Sequence, residues 1–187
     1  MNNIVLKMQD VNKVYNGVKV LDNVSITIER GEIYGLVGNN GAGKTTLMRL
    51  IAGQSKMDSG KLELFQEIER TNIQKARHRV GTLIEDPGFY ENMTAQQNLE
   101  YFRIQFGVPG KNAVIKVLKE VGLDDCEKKR YKNFSLGMKQ RLGIALALLQ
   151  TPELLILDEP INGLDPAGII EVRQTLINLS RKKIQRF

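Results

Sequence analysis

The 187-residue chain contains one cysteine, one histidine and no tryptophan. A lone Cys126 rules out an internal disulfide and agrees with a reducing compartment. With His78 as the only imidazole, the zinc-type ligand sets are excluded as well. Long apolar runs are also missing: stretches such as Ile144–Leu149 are far too short to cross a bilayer. The start, Met1-Asn2-Asn3-Ile4-Val5-Leu6-Lys7, lacks the apolar core of a secretory signal, so the expected location is the cytosol. There is no low-complexity segment and no internal repeat. The formal net charge is +6, but the basic residues are spread along the chain. Their two modest clusters, Lys128-Lys129-Arg130 and Arg181-Lys182-Lys183, have no interleaved aromatic rings to stack on bases. This charge reads as solvated surface, and no specific nucleic acid is expected. A composition 42% hydrophobic and 26% charged, at this length, suits one sizeable core or a core with one inserted lobe.

What is present begins at residues 38–45, Gly-Asn-Asn-Gly-Ala-Gly-Lys-Thr, which complete the phosphate-binding pattern G-x-x-x-x-G-K-[ST]. The flanking residues fit it. Glu32–Val37 reads as a short buried strand, and Thr46–Ala52 reads as a helix stopped by Gly53. A strand entering a helix through a glycine loop aims several backbone N–H groups and the helix dipole at one spot. The expected nucleotide contacts are Gly38, Asn39, Asn40, Gly41, Ala42, Gly43, Lys44, Thr45 and Thr46. Lys44 would reach the β- and γ-phosphates, and the Thr45 hydroxyl would hold Mg²⁺.

Further elements follow from periodicity. Val24, Ile26 and Ile28 alternate with polar residues, as in a half-exposed strand. Leu62–Phe65 and Val80–Ile84 read as strands. From about Ala95 to Leu149 the pattern is helical, with Thr94 as N-cap and Gly107-Val108-Pro109-Gly110 as a break. Leu154–Leu157 is a continuous apolar run, as expected of a strand buried on both faces. Beyond Asp165-Pro166, apolar Ile169, Val172, Leu176 and Leu179 recur at helical spacing. The expected architecture is α/β: a single domain over residues 1–187 with a helical subdomain at about 88–150. At the end of the Leu154–Leu157 strand, Asp158 would hold Mg²⁺ through water, and Glu159 would polarise the water that attacks the γ-phosphate.

The segment Phe134-Ser135-Leu136-Gly137-Met138-Lys139-Gln140-Arg141 makes the chain resemble the nucleotide-binding subunit of an ATP-binding-cassette (ABC) transporter, whose signature is usually written L-S-G-G-Q. Ser135 ahead of an apolar helix is itself a helix N-terminus and an anion site. The resemblance implies a P-loop NTPase fold of the ABC ATPase type, with a mixed sheet core. It implies that two subunits, as a homodimer or a pair with another ABC ATPase, sandwich MgATP head to tail. In that arrangement Ser135, Leu136, Gly137 and Met138 contact the ATP held by the partner. It further implies that Tyr15 stacks on adenine, and that Asp165, in the D-loop-like Asn162-Gly163-Leu164-Asp165, touches the partner's site. The cofactors implied are ATP and Mg²⁺. The partners implied are separate transmembrane permease subunits, with this chain peripheral on the inner face of the cell membrane.

Three departures from the family pattern carry expectations of their own. Glu85 stands where the family usually has the Q-loop glutamine, and a carboxylate there can still bind Mg²⁺ directly or through water. The signature reads Ser-Leu-Gly-Met-Lys-Gln rather than Ser-Gly-Gly-Gln. Both features resemble the bacterial exporters associated with bacitracin and lantibiotic resistance. Third, the family's further strand, with its γ-phosphate-contacting histidine, should fall slightly beyond residue 187. The expected sheet therefore lacks its last core strand or strands, leaving a gap between the phosphate-loop strand and the Asp158 strand. The function implied is an ATPase powering export of a peptide antibiotic or similar compound. Two alternatives remain: a non-transport ABC ATPase acting on nucleic acid or the ribosome, and a truncated product that binds ATP without efficient hydrolysis.

Overall fold

A computed structural model describes residues 3–110, 112–126 and 128–184, with side chains described up to residue 180. The chain forms two compact units, Met1–Val80 and Gly81–Phe187.

The first unit is built on an antiparallel hairpin. Strand β1 (Ile4–Tyr15) and strand β2 (Val18–Glu29) are joined at Asn16-Gly17, with Tyr15 opposite Val18. Both turn residues have positive φ, 50° and 78°. That is the mirror-type two-residue turn whose twist matches the strands it joins. Strand β3 (Ser59–Leu64) pairs with the other edge of β1, placing Leu6 opposite Leu64 and Met8 opposite Leu62. Leu6, Met8, Val11 and Leu64 are buried, together with Leu47 and Leu50 of helix α1 (Lys44–Ala52). Along β2, Val24, Ile26 and Ile28 are half-buried between exposed neighbours, as their alternation predicts. Helix α2 (Arg70–Ala76) follows, with one 3₁₀ turn over Arg77–Arg79.

The expected strand over Glu32–Val37 is not formed. Those residues have no regular structure, and Ile33, Tyr34 and Val37 are 65%, 46% and 94% exposed. A short apolar run becomes a strand only when a neighbour takes up its N–H and C=O groups. Among the described residues no strand pairs with this one.

The second unit holds strands β4 (Val80–Leu83, whose first residue closes the first unit) and β5 (Leu154–Leu157), which pair with each other. Of β5 only Ile156 is buried. A two-stranded sheet covers its strands less completely than the expected two-sided burial.

Around the strands lie α3 (Ala95–Gln105), α4 (Asn112–Glu120), α5 (Leu136–Leu148) and α6 (Pro166–Ile184). Thr94 caps α3 as expected, accepting from the Gln97 N–H while the Gln97 side chain accepts from the Thr94 N–H. The break between α3 and α4 falls at the predicted Gly107–Gly110. From Leu142 to Leu148 helix α5 is apolar and buried all round, with Leu142, Ile144 and Ala145 fully enclosed. The buried Asn98 satisfies its amide on the Tyr90 N–H and on the Tyr90 and Thr94 carbonyls, tying the segment after Glu85 to α3. No helix among the described residues is long and apolar enough to span a membrane.

Candidate nucleotide site

Residues Gly38–Gly43 form an exposed loop that turns at Asn39, where the Ala42 N–H donates to the Asn39 carbonyl at 3.1 Å, and runs into α1. Gly43 is the N-cap of α1, in the left-handed region at φ 84°. A Cβ at this position would lie 2.7 Å from the Val20 carbonyl oxygen and 2.8 Å from Leu21 Cδ2. Glycine is therefore required twice, by the backbone angle and by close approach to β2. No side chain caps the helix, and a helix N-terminus is where a phosphate can accept from backbone N–H groups. Lys44 Nζ donates to the Gly38 carbonyl at 2.7 Å and the Asn39 carbonyl at 2.9 Å. Its ammonium is thus held over the loop. Thr45 and Thr46 complete the first turn. The other end of α1 is capped by Arg77, which donates from Nε to the Ile51 carbonyl (3.1 Å) and from Nη2 to the Leu50 carbonyl (3.2 Å). Burial, and then the charge of Arg70, pull the Arg77 pKa below its ordinary value. Nothing in the sequence signals this cap, since Arg77 lies far along the chain from the carbonyls it holds.

Tyr15 ends β1, and its ring is 44% exposed. Its hydroxyl shares a 2.8 Å hydrogen bond with Ser55 Oγ, and Lys13 Nζ lies 4.9 Å from the ring centroid. Lys13 in turn pairs with Asp58 at 2.8 Å, and the Val14 N–H donates to the same carboxylate at 2.6 Å. These two donors hold the Asp58 pKa below its usual 3.8, against a smaller opposing effect of burial.

The remaining candidate residues belong to the second unit. The Asp158 N–H donates to the Leu83 carbonyl at 2.8 Å, so Asp158 and Glu85 leave β5 and β4 at the same end of the two-stranded sheet. Glu159 is exposed, with its backbone at φ 45°. Asn162 Nδ2 donates to Glu159 Oε2 at 2.8 Å. Ser135 is the N-cap of α5 and accepts from the Met138 N–H at 3.3 Å, which leaves the other first-turn donors to an outside anion. Lys129 Nζ, 3.8 Å from Met138 Sδ, adds positive charge beside this turn. Leu136 is half-exposed and lies 3.3 Å from where a Cβ on Gly163 would be, so the signature turn and the D-loop-like segment are neighbours. Asp165 Oδ1 accepts from the Gly168 N–H at 3.1 Å and caps α6, ahead of a proline at its first position.

In the second unit, Asp158 and Glu85 carry hard carboxylate oxygens of the kind Mg²⁺ takes; in the first, Thr45 carries a hydroxyl. The lysine-bearing glycine loop and the uncapped start of α1 fit a nucleotide phosphate chain. Such a loop, and a strand ending in Asp-Glu, define a P-loop nucleotide-binding protein.

The chain belongs to the ABC transporter family, whose profile matches residues 21–162. It is 48% identical to the bacitracin transport ATP-binding protein BcrA of Bacillus licheniformis, over 96% of this chain and 58% of that protein. It is 42% identical to the lantibiotic transport ATP-binding protein SrtF of Streptococcus pyogenes, over 92% of this chain and 73% of the relative. The solved structure of cbiO1 from Clostridium perfringens, part of the ABC transporter complex cbiONQ, aligns with TM-score 0.85 at 29% identity, covering 97% of this chain and 76% of its own. The chain thus spans a little over half the length of the bacitracin relative. The expected resemblance, down to its bacitracin and lantibiotic branch, is borne out, and so is the ABC ATPase fold class.

Proposed function

We propose that this chain is the ATP-binding and hydrolysing subunit of an exporter for a peptide antibiotic or similar compound. The observation that carries the reading is the Gly38–Thr45 loop, with Lys44 held across it and no side chain on the α1 N-terminus. The similarity to transport ATP-binding proteins for bacitracin and lantibiotics supports the cargo class.

In this reading the loop N–H groups cradle the phosphates, and Lys44 exchanges its two carbonyl acceptors for β- and γ-phosphate oxygens. Thr45, Asp158 and Glu85 would hold Mg²⁺, which would supply charge neutralisation on the phosphate chain. Tyr15 stacks on adenine, its ring anchored through Ser55. Glu159 orients the attacking water and accepts its proton. Two subunits pair head to tail, so Ser135, Leu136, Gly137 and Met138 present the start of α5 to the partner's γ-phosphate, and Asp165 lies at the shared edge. The pair drives separate membrane subunits from the cytoplasmic face. Residues 1–187 act as one ATP-binding domain, with the helices of about 88–150 as its subdomain.

Turnover of MgATP by the purified chain tests this reading, with Glu159→Gln as control. Phosphate release that Glu159→Gln reduces at least about 100-fold is expected for a general base. Turnover that the substitution leaves unchanged contradicts it.

A further inference from the structure

The turn after β5 is closed twice between the same two residues. The Asn162 N–H donates to the Glu159 carbonyl at 3.0 Å, and Asn162 Nδ2 donates to Glu159 Oε2 at 2.8 Å. Glu159 sits at φ 45°, a region that a long side chain seldom occupies without support from its surroundings. Gly163, also in the left-handed region at φ 72°, carries the chain on beside Leu136 of the signature turn.

We infer that Asn162 is a positioning residue for Glu159. The inference rests on the reading of Glu159 as the base. An exposed glutamate samples many rotamers, and ordering it at the moment of reaction costs entropy. The amide of Asn162 takes one carboxylate oxygen and restrains the side chain beforehand, leaving Oε1 as the oxygen that receives the proton. A neutral donor suits this task. A lysine or arginine in its place would form a salt bridge and draw basicity out of the carboxylate. In the step itself, the water oxygen bonds to the γ-phosphorus, its proton passes to Glu159, and the bond to the β–γ bridging oxygen breaks with its electron pair leaving on ADP. Asn162 touches none of the reacting atoms. It narrows the geometry in which they meet.

The test is MgATP turnover by the full chain with Asn162→Ala, Asn162→Asp and Asn162→Ser. Asn162 is exposed, so all three should fold. Asn162→Ala is expected to lower kcat about 3–10-fold while KM stays within about twofold, because the amide acts on the water-activating group and not on nucleotide binding. The Asp variant, nearly isosteric but without a donor and with a like charge, should lose more. The Ser variant, which keeps a donor, should recover part of the loss. Placed on Glu159→Gln, Asn162→Ala should cost nothing further. If Glu159→Gln abolishes turnover while Asn162→Ala leaves kcat intact, the positioning role is wrong and the base assignment stands. Glu159→Gln turning over like the parent overturns the base assignment, and the positioning role with it. A parent chain that does not turn over ATP overturns both.

Discussion

Lys44 is bonded to Gly38: its ammonium donates to the Gly38 carbonyl at 2.7 Å, bridging the two ends of the glycine loop. The second bond, to Asn39, closes the clasp. The charge is thereby placed over the loop before any ligand arrives, which lowers the ordering cost of binding. Lys44→Ala removes both the clasp and the positive partner of the phosphates. MgATP affinity should fall at least about 100-fold by calorimetry, and unchanged affinity would refute the assignment of the loop.

Gly43→Ala should damage folding and binding together. The new methyl meets the Val20 carbonyl at 2.7 Å with the backbone at φ 84°. Strain of this kind costs about 1–3 kcal/mol, which for a chain of this size lowers the unfolding midpoint by roughly 3–10 °C. Scanning calorimetry of the variant checks this.

Asp58 ties the end of β1 to the start of β3, and its folded-state pKa is depressed below 3.8 by Lys13 and the Val14 N–H. A carboxylate with a lowered folded pKa contributes stability above its unfolded pKa and loses that contribution as pH falls through the folded value. Asp58→Asn should therefore lower the midpoint at pH 7. The gap between variant and parent should narrow steadily below about pH 4. A gap independent of pH would contradict the charge-based account.

Ser135→Ala deletes the N-cap of α5 while keeping its backbone. The expected cost is about 1 kcal/mol, or roughly 2–4 °C in midpoint, with the helix still formed because its apolar body is buried. In the paired arrangement proposed above, turnover should fall more than this loss of stability explains. Comparing midpoint and kcat in the same preparation separates the two effects.

Much of this was legible in the sequence because the signals are local. The glycine loop, the Thr94 and Ser135 caps and the α6 start at Asp165-Pro166 are each set by residues within a turn of one another. The failures are non-local. Glu32–Val37 has the composition of a buried strand, but a strand also needs a partner ladder, and none of the described strands provides one. Leu154–Leu157 reads as buried on both faces, yet burial depends on what packs against the sheet. Strand β1 escaped the sequence reading because bulges between Met8 and Val14 interrupt its alternation, although Asn16-Gly17 marks the hairpin it belongs to. Arg77 on the α1 carbonyls is a tertiary contact with no motif. The Asn162–Glu159 bond spans only three residues, but no motif signals an amide turned back on a carboxylate.

The most direct test of the central claim, that this chain binds MgATP through the Gly38–Thr45 loop, is thermal unfolding with and without nucleotide, on the parent and on Lys44→Ala. Ligand at 100 times its dissociation constant adds about 2.7 kcal/mol. For this length that raises the midpoint by roughly 5–10 °C. A cooperative transition that shifts by this amount in the parent and not in Lys44→Ala is the expected result. No shift in the parent, or an equal shift in both, would contradict it.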